Sequence, residues 1–295
     1  MDPVEALERW GGIAAARDLL VLTSRRQLRT AVERRTVLRV GHGRYALPAA
    51  DQARRAAALV GGYVTGLSAA LHWGWEVRVP PRRPQVAVPH GQPVPRITAA
   101  DACALPRGTA TQGWATSPLA TVLQCARDLP FADALAVADS ALRHRAVEYD
   151  ELQAWATPRN RRVLLHATRL AANPFESALR ALAIEEAVPM VPQFEIHARG
   201  LVLHPDLVDP LAGVVLEAES WEFHGKDKSA FEADCERYNA LVATGWRVLR
   251  FTWSQVMHHP AEVRAVLRET YAGLAECAEH RRSRPSPVPQ GQAAP

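Results

Sequence analysis

The stretch VVLEAESWEFHGKDKSAFEADCERYNALVATGWRVLRFTW, residues 214–253, opens on an apolar run that stops at two carboxylates, Glu217 and Glu219. The run predicts a buried strand, followed by a helix that ends at Gly245 and by a second apolar strand. Side chains alternate along a strand, so Glu217 and Glu219 share one face with Val215. A core strand has no structural need of two carboxylates at its end, so the pattern indicates a functional site.

The residues before this stretch extend the same unit. From Pro174 onward the patterns predict the element order α-β-β-β-α-β-α, in which Asp206 lies on the strand that precedes Glu217. A hairpin with a connection of about five or six residues would place Asp206 and Glu217 side by side. Two adjacent carboxylates repel each other unless positive charge lies between them. Mg²⁺ prefers one or two carboxylates together with waters and phosphate oxygens, so the pair is a candidate metal site, with Glu176 as a third oxygen ligand or as a group that orients a metal-bound water.

This arrangement resembles the PD-(D/E)XK nuclease superfamily, whose α-β-β-β-α-β core has an acid on its second strand and an E-x-K on its third. It is more closely similar to the very-short-patch-repair (Vsr) endonuclease-like domains, which follow an E-x-D…H…D-x-x-R pattern and end in a strand like GWRVLRFTW. The matching residues are Phe175-Glu176-Ser177, Pro192-Gln193, Asp206, Glu217, Glu219, His224, Asp234 and Arg237.

The resemblance implies a restriction-endonuclease-like core that hydrolyses DNA phosphodiester bonds with Mg²⁺ or Mn²⁺, leaving 5′-phosphate and 3′-hydroxyl ends. The residues it implies as metal ligands are Asp206, Glu217 and Glu219. The full catalytic set that it implies adds Glu176 and His224. The supporting residues that it implies are Gln193, Asp234 and Arg237.

Two positions depart from the family pattern. Glu219 stands where an aspartate is usual, and the lysine of E-x-K is absent. His224 would take the task of that lysine as general acid or base, because a histidine pKa lies near neutrality. Lys226 would add positive charge from a loop. Asp234 and Arg237, one helical turn apart, would form a salt bridge that orients His224 or pins the helix to the sheet. The alternative is an ordinary ion pair on the helix surface.

The first 48 residues carry a local excess of positive charge. Seven arginines lie between Ser24 and Tyr45 against one acid, Glu33, although the net charge of the whole chain is only +4. Three short helices followed by a two-stranded hairpin are typical of a winged helix-turn-helix, whose third helix can enter the major groove of DNA. The candidate DNA-binding residues are Arg25, Arg26 and Arg29 on that helix and Arg39 and Arg44 on the wing. The alternative is a small helical domain with a solvated basic face.

The segments GGIAAARDLL, SRRQLRTAVERRTVLRV and GRYALP within these residues resemble the N-terminal winged helix of AbiEi-type antitoxins from type IV toxin–antitoxin systems. The resemblance implies a DNA-binding module that can regulate its own gene. Residues 49–160 resemble the region that follows in AbiEi-like proteins and predict a mixed α+β unit, within which residues 83–98 predict two strands. No chemistry can be derived from this middle region.

Together these patterns predict an α+β or α/β multidomain protein with a winged helix in residues 1–48, a middle region in 49–160, a Vsr-like unit in 161–278 and a disordered tail in 279–295. Its 295 residues contain no apolar run of membrane-spanning length and no signal-peptide pattern at the start, and its four cysteines form no CxxC. We therefore expect a cytoplasmic protein whose partner is DNA.

Two functions other than cleavage stay open. One is a catalytically inactive AbiEi-like transcriptional regulator whose nuclease fold serves as a DNA clamp or a partner surface. The other is an antitoxin whose middle region binds a cognate toxin protein. The Glu219 departure and the missing lysine favour loss of catalysis, whereas the intact pair of Asp206 and Glu217 argues against it.

Overall fold

The computed structural model describes residues 1–9, 12–41, 44–219 and 228–283. The described residues form a mixed α+β protein with four small sheets. The buried apolar side chains gather in separate clusters along the chain: one within residues 6–37, two centred on the middle region, and two on the sheet of the C-terminal unit. Among these residues no helix has both the length and the apolar character needed to span a bilayer.

The N-terminal unit consists of helices and a small antiparallel sheet with the strand order β1-β3-β2. The elements are α1 (Pro3–Arg9), β1 (Ile13–Ala15), α2 (Ala16–Leu22), α3 (Arg25–Glu33), β2 (Leu38–Gly41) and β3 (Arg44–Ala46). The predicted helices and hairpin are confirmed. Strand β1 was not predicted because Ile13–Ala15 is short and merges into the helical pattern of α2.

Helix α3 begins at a reciprocal cap and turns one face to solvent. The Ser24 hydroxyl accepts a hydrogen bond from the Gln27 N–H at 3.2 Å, and Gln27 Oε1 accepts one from the Ser24 N–H at 3.0 Å. Leu28 is buried at 4% exposure. The exposed arginines of the opposite face are Arg25, Arg26 and Arg29, as the helical spacing predicted.

The middle region combines a five-stranded mixed sheet, in the order β6-β5-β4-β8-β7, with a group of helices. Its elements are α4 (Ala49–Leu59), β4 (Tyr63–Val64), α5 (Gly66–His72), β5 (Gln85–Val88), β6 (Asp101–Ala104), β7 (Thr111–Gln112), β8 (Ala115–Thr116), α6 (Pro118–Asp128), α7 (Phe131–Arg143), α8 (Tyr149–Ala154) and α9 (Arg161–His166). Of the two strands predicted in residues 83–98, only β5 forms. The second prediction is wrong: Pro93 and Pro95 cannot donate to a ladder, and the next strand begins at Asp101.

The C-terminal unit contains a four-stranded sheet in the order β14-β13-β12-β9 and a separate hairpin, β10-β11. Its elements are α10 (Pro174–Glu185), β9 (Val191–Pro192), β10 (Ile196–Ala198), β11 (Leu201–Leu203), β12 (Leu207–Asp209), β13 (Val214–Glu219), α11 (Lys228–Ala243), β14 (Arg247–Thr252), α12 (Trp253–His258) and α13 (Pro260–Ser283). The predicted strand that carries Asp206 is divided into β11 and β12, with Asp206 between them. Pro205 has no N–H to donate, so the chain leaves the hairpin there and joins the larger sheet two residues later.

Helices cover both faces of this sheet. Val215 packs with Ala240 and Leu241 of α11, whereas Leu216 packs with α10 and α13 on the opposite face. Strands β13 and β14 are parallel, with α11 as the crossover between them. Strand β13 is therefore central and buried on both sides, which explains why its sequence begins as an unbroken apolar run.

Helix α10 also joins the C-terminal unit to the middle region. Its Leu179 belongs to the core of the C-terminal sheet, whereas its Ala181 belongs to the core built around α7. One helix thus contributes to both cores. The helix that carries Glu176 is thereby packed on two sides.

We expect Leu216→Ala to lower the free energy of unfolding by about 2–5 kcal/mol, because Leu216 has no exposed surface and its removal leaves a cavity. Leu211→Ala is the matched control, since Leu211 is 95% exposed in the connection between β12 and β13. Urea denaturation of both variants measures the difference. Equal decreases in stability would contradict the placement of β13 at the centre of the sheet.

Candidate active site

The antiparallel pairing of β12 with β13 determines where Asp206 and Glu217 lie. The register joins Leu207 to Leu216 and Asp209 to Val214, so the next pair outward is Asp206 and Glu217. The Ala218 N–H donates to Asp206 Oδ2 at 2.8 Å. The prediction that the two carboxylates are neighbours is confirmed, although the connection spans residues 210–213 and is shorter than expected.

Glu176 reaches the same place from the N-terminus of α10. Asn173 caps this helix by accepting from the N–H groups of Phe175 and Glu176. The Glu176 carboxylate accepts from the Ala172 N–H and from the Asn173 side-chain amide, each at 2.8 Å. It is only 7% exposed, so its position is set by hydrogen bonds and not by solvent.

Burial raises the pKa of all three carboxyl groups. The pKa of Glu217 rises to about 7 through burial and the charge of Asp206, against the opposing effect of Arg237. The pKa of Asp206 rises to about 7 through burial and the charge of Glu176. The pKa of Glu176 also rises to about 7, through burial, with Glu217 among the groups that raise it further. These mutual effects place the three carboxyl groups in one electrostatic cluster.

Arg237 of α11 is the cation that contacts this cluster directly. It donates to Glu217 Oε1, and its second terminal nitrogen lies 4.0 Å from Asp234. Asp234 and Arg237 therefore do share a face, as their spacing predicted. The bond from Arg237 to a strand carboxylate shows that the pair is more than an ordinary ion pair on the helix surface.

Glu219 has different partners from Glu217. Its Oε1 accepts from the Tyr238 hydroxyl and from Arg250 Nε, the latter at 2.8 Å. The Arg250 guanidinium also stacks on the Tyr238 ring at 4.0 Å. Glu219, at the end of β13, is thus bonded to both α11 and β14 and holds these two elements against the strand.

The residues that line the cavity above the carboxylates come from several parts of the chain. The cavity has a volume of about 520 Å³. Its lining includes the predicted residues Glu176, Gln193, Asp206, Glu217, Glu219, Asp234 and Arg237. Gln193 stands at its edge with a left-handed backbone, φ 53°, and its N–H donates to the Asp206 carbonyl at 3.2 Å.

Several lining residues were missed by the sequence reasoning. They are Arg9, Leu22, His204, Tyr238 and Trp253. Tyr238 could have been found, because it lies four residues after Asp234 on the same helix. Arg9 could not, because no local pattern connects α1 with a strand two hundred residues away; its guanidinium lies 5.5 Å from the centre of the Trp253 ring.

The last four predicted residues are His224, Lys226, Arg39 and Arg44. His224 and Lys226 fall outside the described residues, so their roles stay predictions. Arg39 is exposed on β2, and Arg44 begins β3, with its side chain outside what the structure describes.

The donor set suits a hard divalent cation in its chemistry, because it consists of carboxylate oxygens in a buried cavity. The side chains are not arranged as a complete set of metal ligands. In the described parts of the chain, no three His, Cys, Asp or Glu side chains form a group that could hold a metal ion. Arg237 engages Glu217, and Tyr238 and Arg250 engage Glu219. Asp206 and Glu217 are the residues that could hold a metal, after a displacement of the Arg237 side chain.

Comparisons with known proteins do not identify a family. No family model matches the chain. The uncharacterized proteins MT2308 and Rv2248 of Mycobacterium tuberculosis are each 29% identical over 161 residues, which cover 51% of this chain and 59% of theirs. The chain thus spans less than two thirds of these relatives. The crystal structure of RV2827C protein from Mycobacterium tuberculosis matches with a TM-score of 0.27 and 17% identity, over 62% of this chain and 74% of that one. The two family resemblances stay predictions.

We expect the free energy of unfolding to fall as the pH rises from about 5 to about 8, in the absence of divalent cations. The folded-state pKa of Glu217, about 7, exceeds its ordinary value of 4.5. The folded protein therefore binds the proton more tightly, and the stability that this contributes is present below the ordinary pKa and lost as the pH passes 7. One such carboxyl accounts for roughly 3 kcal/mol.

Urea denaturation across that pH range measures the slope, and Glu217→Gln should flatten it. Glu151→Gln, at an exposed carboxylate of α8, is the control that should leave it unchanged. A wild-type protein whose stability is constant or rises over this range would contradict the buried, mutually repelling arrangement.

Proposed function

We propose that the C-terminal unit is a Vsr-like endonuclease of the restriction-endonuclease-like fold, which hydrolyses DNA phosphodiester bonds with Mg²⁺ or Mn²⁺. The observation that carries the proposal is the pair formed by the half-buried Asp206, just before β12, and the buried Glu217 on the adjacent β13, with Glu176 in the same cavity. Burying three carboxyl groups together costs stability, and a site that binds a cation explains why they are there.

In this proposal Asp206 and Glu217 would hold the metal ion, and the chemistry that it would supply when bound is to lower the pKa of a water and neutralise charge on the phosphate. Glu176, fixed by two hydrogen bonds, orients the attacking water. His224 moves the proton. Arg237, which contacts Glu217, would supply positive charge beside the scissile phosphate. Glu219 holds α11 and β14 against the strand end and lies outside the set of direct ligands.

The N-terminal unit is proposed as a winged helix of the AbiEi type that binds DNA. Its support is the exposed face of α3, which presents Arg25, Arg26 and Arg29 on a helix whose other face is buried. Arginines on an exposed helix bind phosphates and base edges in the major groove. In this proposal the winged helix brings the carboxylate cavity to DNA.

A second function has its own support: an inactive AbiEi-like regulator or antitoxin that binds DNA, and in the antitoxin case a toxin protein, without cleaving DNA. The observation that favours it is that Arg237, Tyr238 and Arg250 already satisfy Glu217 and Glu219 without a metal. A carboxylate held by a guanidinium can be purely structural. Metal binding separates the two functions.

The deciding experiment is a calorimetric titration of Mn²⁺ and Mg²⁺ into the full chain, together with a plasmid-nicking assay. We expect binding and nicking in the wild type and neither in Asp206→Asn or Glu217→Gln, because each substitution removes a charged ligand. Glu219→Gln is the matched comparison. It should keep metal affinity within about tenfold of wild type, as expected of a residue outside the ligand set.

A wild type that binds no metal and leaves plasmid intact would overturn the nuclease proposal in favour of the regulator. Equal decreases in metal affinity for Glu217→Gln and Glu219→Gln would instead support the prediction that Glu219 is a metal ligand.

The DNA-binding proposal is tested by measuring affinity for duplex DNA against salt concentration. We expect each of Arg25→Ala, Arg26→Ala and Arg29→Ala to weaken binding. Each should also reduce the slope of log K against log salt by about 0.9 for every phosphate that the variant no longer neutralises. Arg161→Ala, at an exposed arginine at the start of α9, is the control. An unchanged slope in all three variants would assign the basic face of α3 to solubility alone.

A further inference from the structure

Glu176 is held by a short segment that connects the middle region to α10. The Glu176 carboxylate accepts from the Ala172 N–H and from the Asn173 side chain. Neither donor belongs to the sheet that carries Asp206 and Glu217. The position of Glu176 therefore depends on whatever holds residues 168–173.

That segment is held by α7 of the middle region. Arg143, the last residue of α7, donates to the Ala171 carbonyl at 2.8 Å. Asp139, one turn earlier, accepts from the Thr168 N–H at 2.8 Å and from the Ser177 hydroxyl at 2.7 Å. Asp139 is 1% exposed and also accepts both Nη2 bonds of the buried Arg180 on α10. Two residues of the segment, Thr168 and Ala171, are thus bonded to the same helix, α7.

Arg143 also bridges to the interior of the middle region. It donates to Glu76, which accepts in turn from the Ser140 hydroxyl and pairs with His144 at 3.0 Å. The Arg143 side chain is only 24% exposed. A guanidinium bonded to two partners in a partly buried place is restrained, because releasing it removes the bond to the Ala171 carbonyl and takes the guanidinium charge away from Glu76.

We infer that the middle region is a structural part of the carboxylate site: Arg143 is a positioning residue that, with Asp139, fixes the 168–173 segment and through it the Glu176 carboxylate. The middle region thereby gains a role that its sequence does not reveal. The inference deepens the proposed function and rests on it only for the use that the site makes of Glu176.

The test compares Arg143→Met with Arg78→Met in the full chain. Arg78 pairs with Asp133 in the first turn of the same helix, and its side chain is 22% exposed against 24% for Arg143. Both variants lose a half-buried ion pair of α7, but only Arg143 contacts the segment. Arg143→Lys keeps the charge in a different shape and is the conservative variant.

The first readout is amide hydrogen exchange at Ala172, which reports the bond to Glu176 without any metal. We expect protection to fall by about tenfold or more in Arg143→Met, to be partly restored in Arg143→Lys, and to stay at the wild-type value in Arg78→Met. Equal protection in Arg143→Met and wild type, or equal loss in Arg143→Met and Arg78→Met, would overturn the inference.

The second readout is the rate of plasmid nicking at saturating Mn²⁺. We expect Arg143→Met to lower it by about 10–100-fold, because a displaced Glu176 no longer orients the attacking water, and Arg78→Met to leave it unchanged. If wild type leaves plasmid intact with Mn²⁺ while Ala172 loses protection only in Arg143→Met, the positioning role stands and the metal-dependent function falls. If wild type nicks plasmid but neither readout responds to Arg143→Met, the function stands and the positioning role falls.

Discussion

The pairing of β12 with β13 is the constraint on which the site depends. Strand β13 is central, with β12 antiparallel on one side and β14 parallel on the other. Its apolar residues are buried on both faces, and a shift of one residue in register would turn every side chain to the opposite face. The same register that buries Val215 and Leu216 therefore forces Glu217 into the interior, next to Asp206. The packing of the core and the placement of the two carboxylates therefore follow from the same strand register.

The sequence predicted β13, α11 and the Asp206–Glu217 contact well because the signals for them were local. An apolar run that ends in carboxylates and a helix between two apolar runs each follow from residues near one another. The Asp206–Glu217 contact needed only one hairpin. The shortest strands, β9 to β11, were merged or misplaced, since two or three residues carry no periodicity, and Pro205 marks the division only once the pairing partners are known.

What the sequence could not predict is long-range. Arg143 reaches Ala171 across 28 residues, Arg250 reaches Glu219 across 31, and Arg9 reaches Trp253 from the other end of the chain. None of these interactions follows from spacing along a helix or a strand. Glu219 is an example: its assignment as a metal ligand stays a prediction, but its bonds to Tyr238 and Arg250, brought there by α11 and β14, did not follow from its place on the face of Glu217.

Under the proposed function, Arg237 and a bound cation would compete for the charge of Glu217. Arg237 donates to Glu217 Oε1. Arg237 donates to only one of the three carboxyl groups. Burial, the largest influence on each of them, raises the pKa of all three to about 7. A divalent cation would neutralise two and leave Arg237 free to bind a phosphate oxygen, so the metal and the polyanion would favour each other at this site. In the inactive alternative Arg237 never leaves, and the same residues serve only to fasten α11 to the sheet.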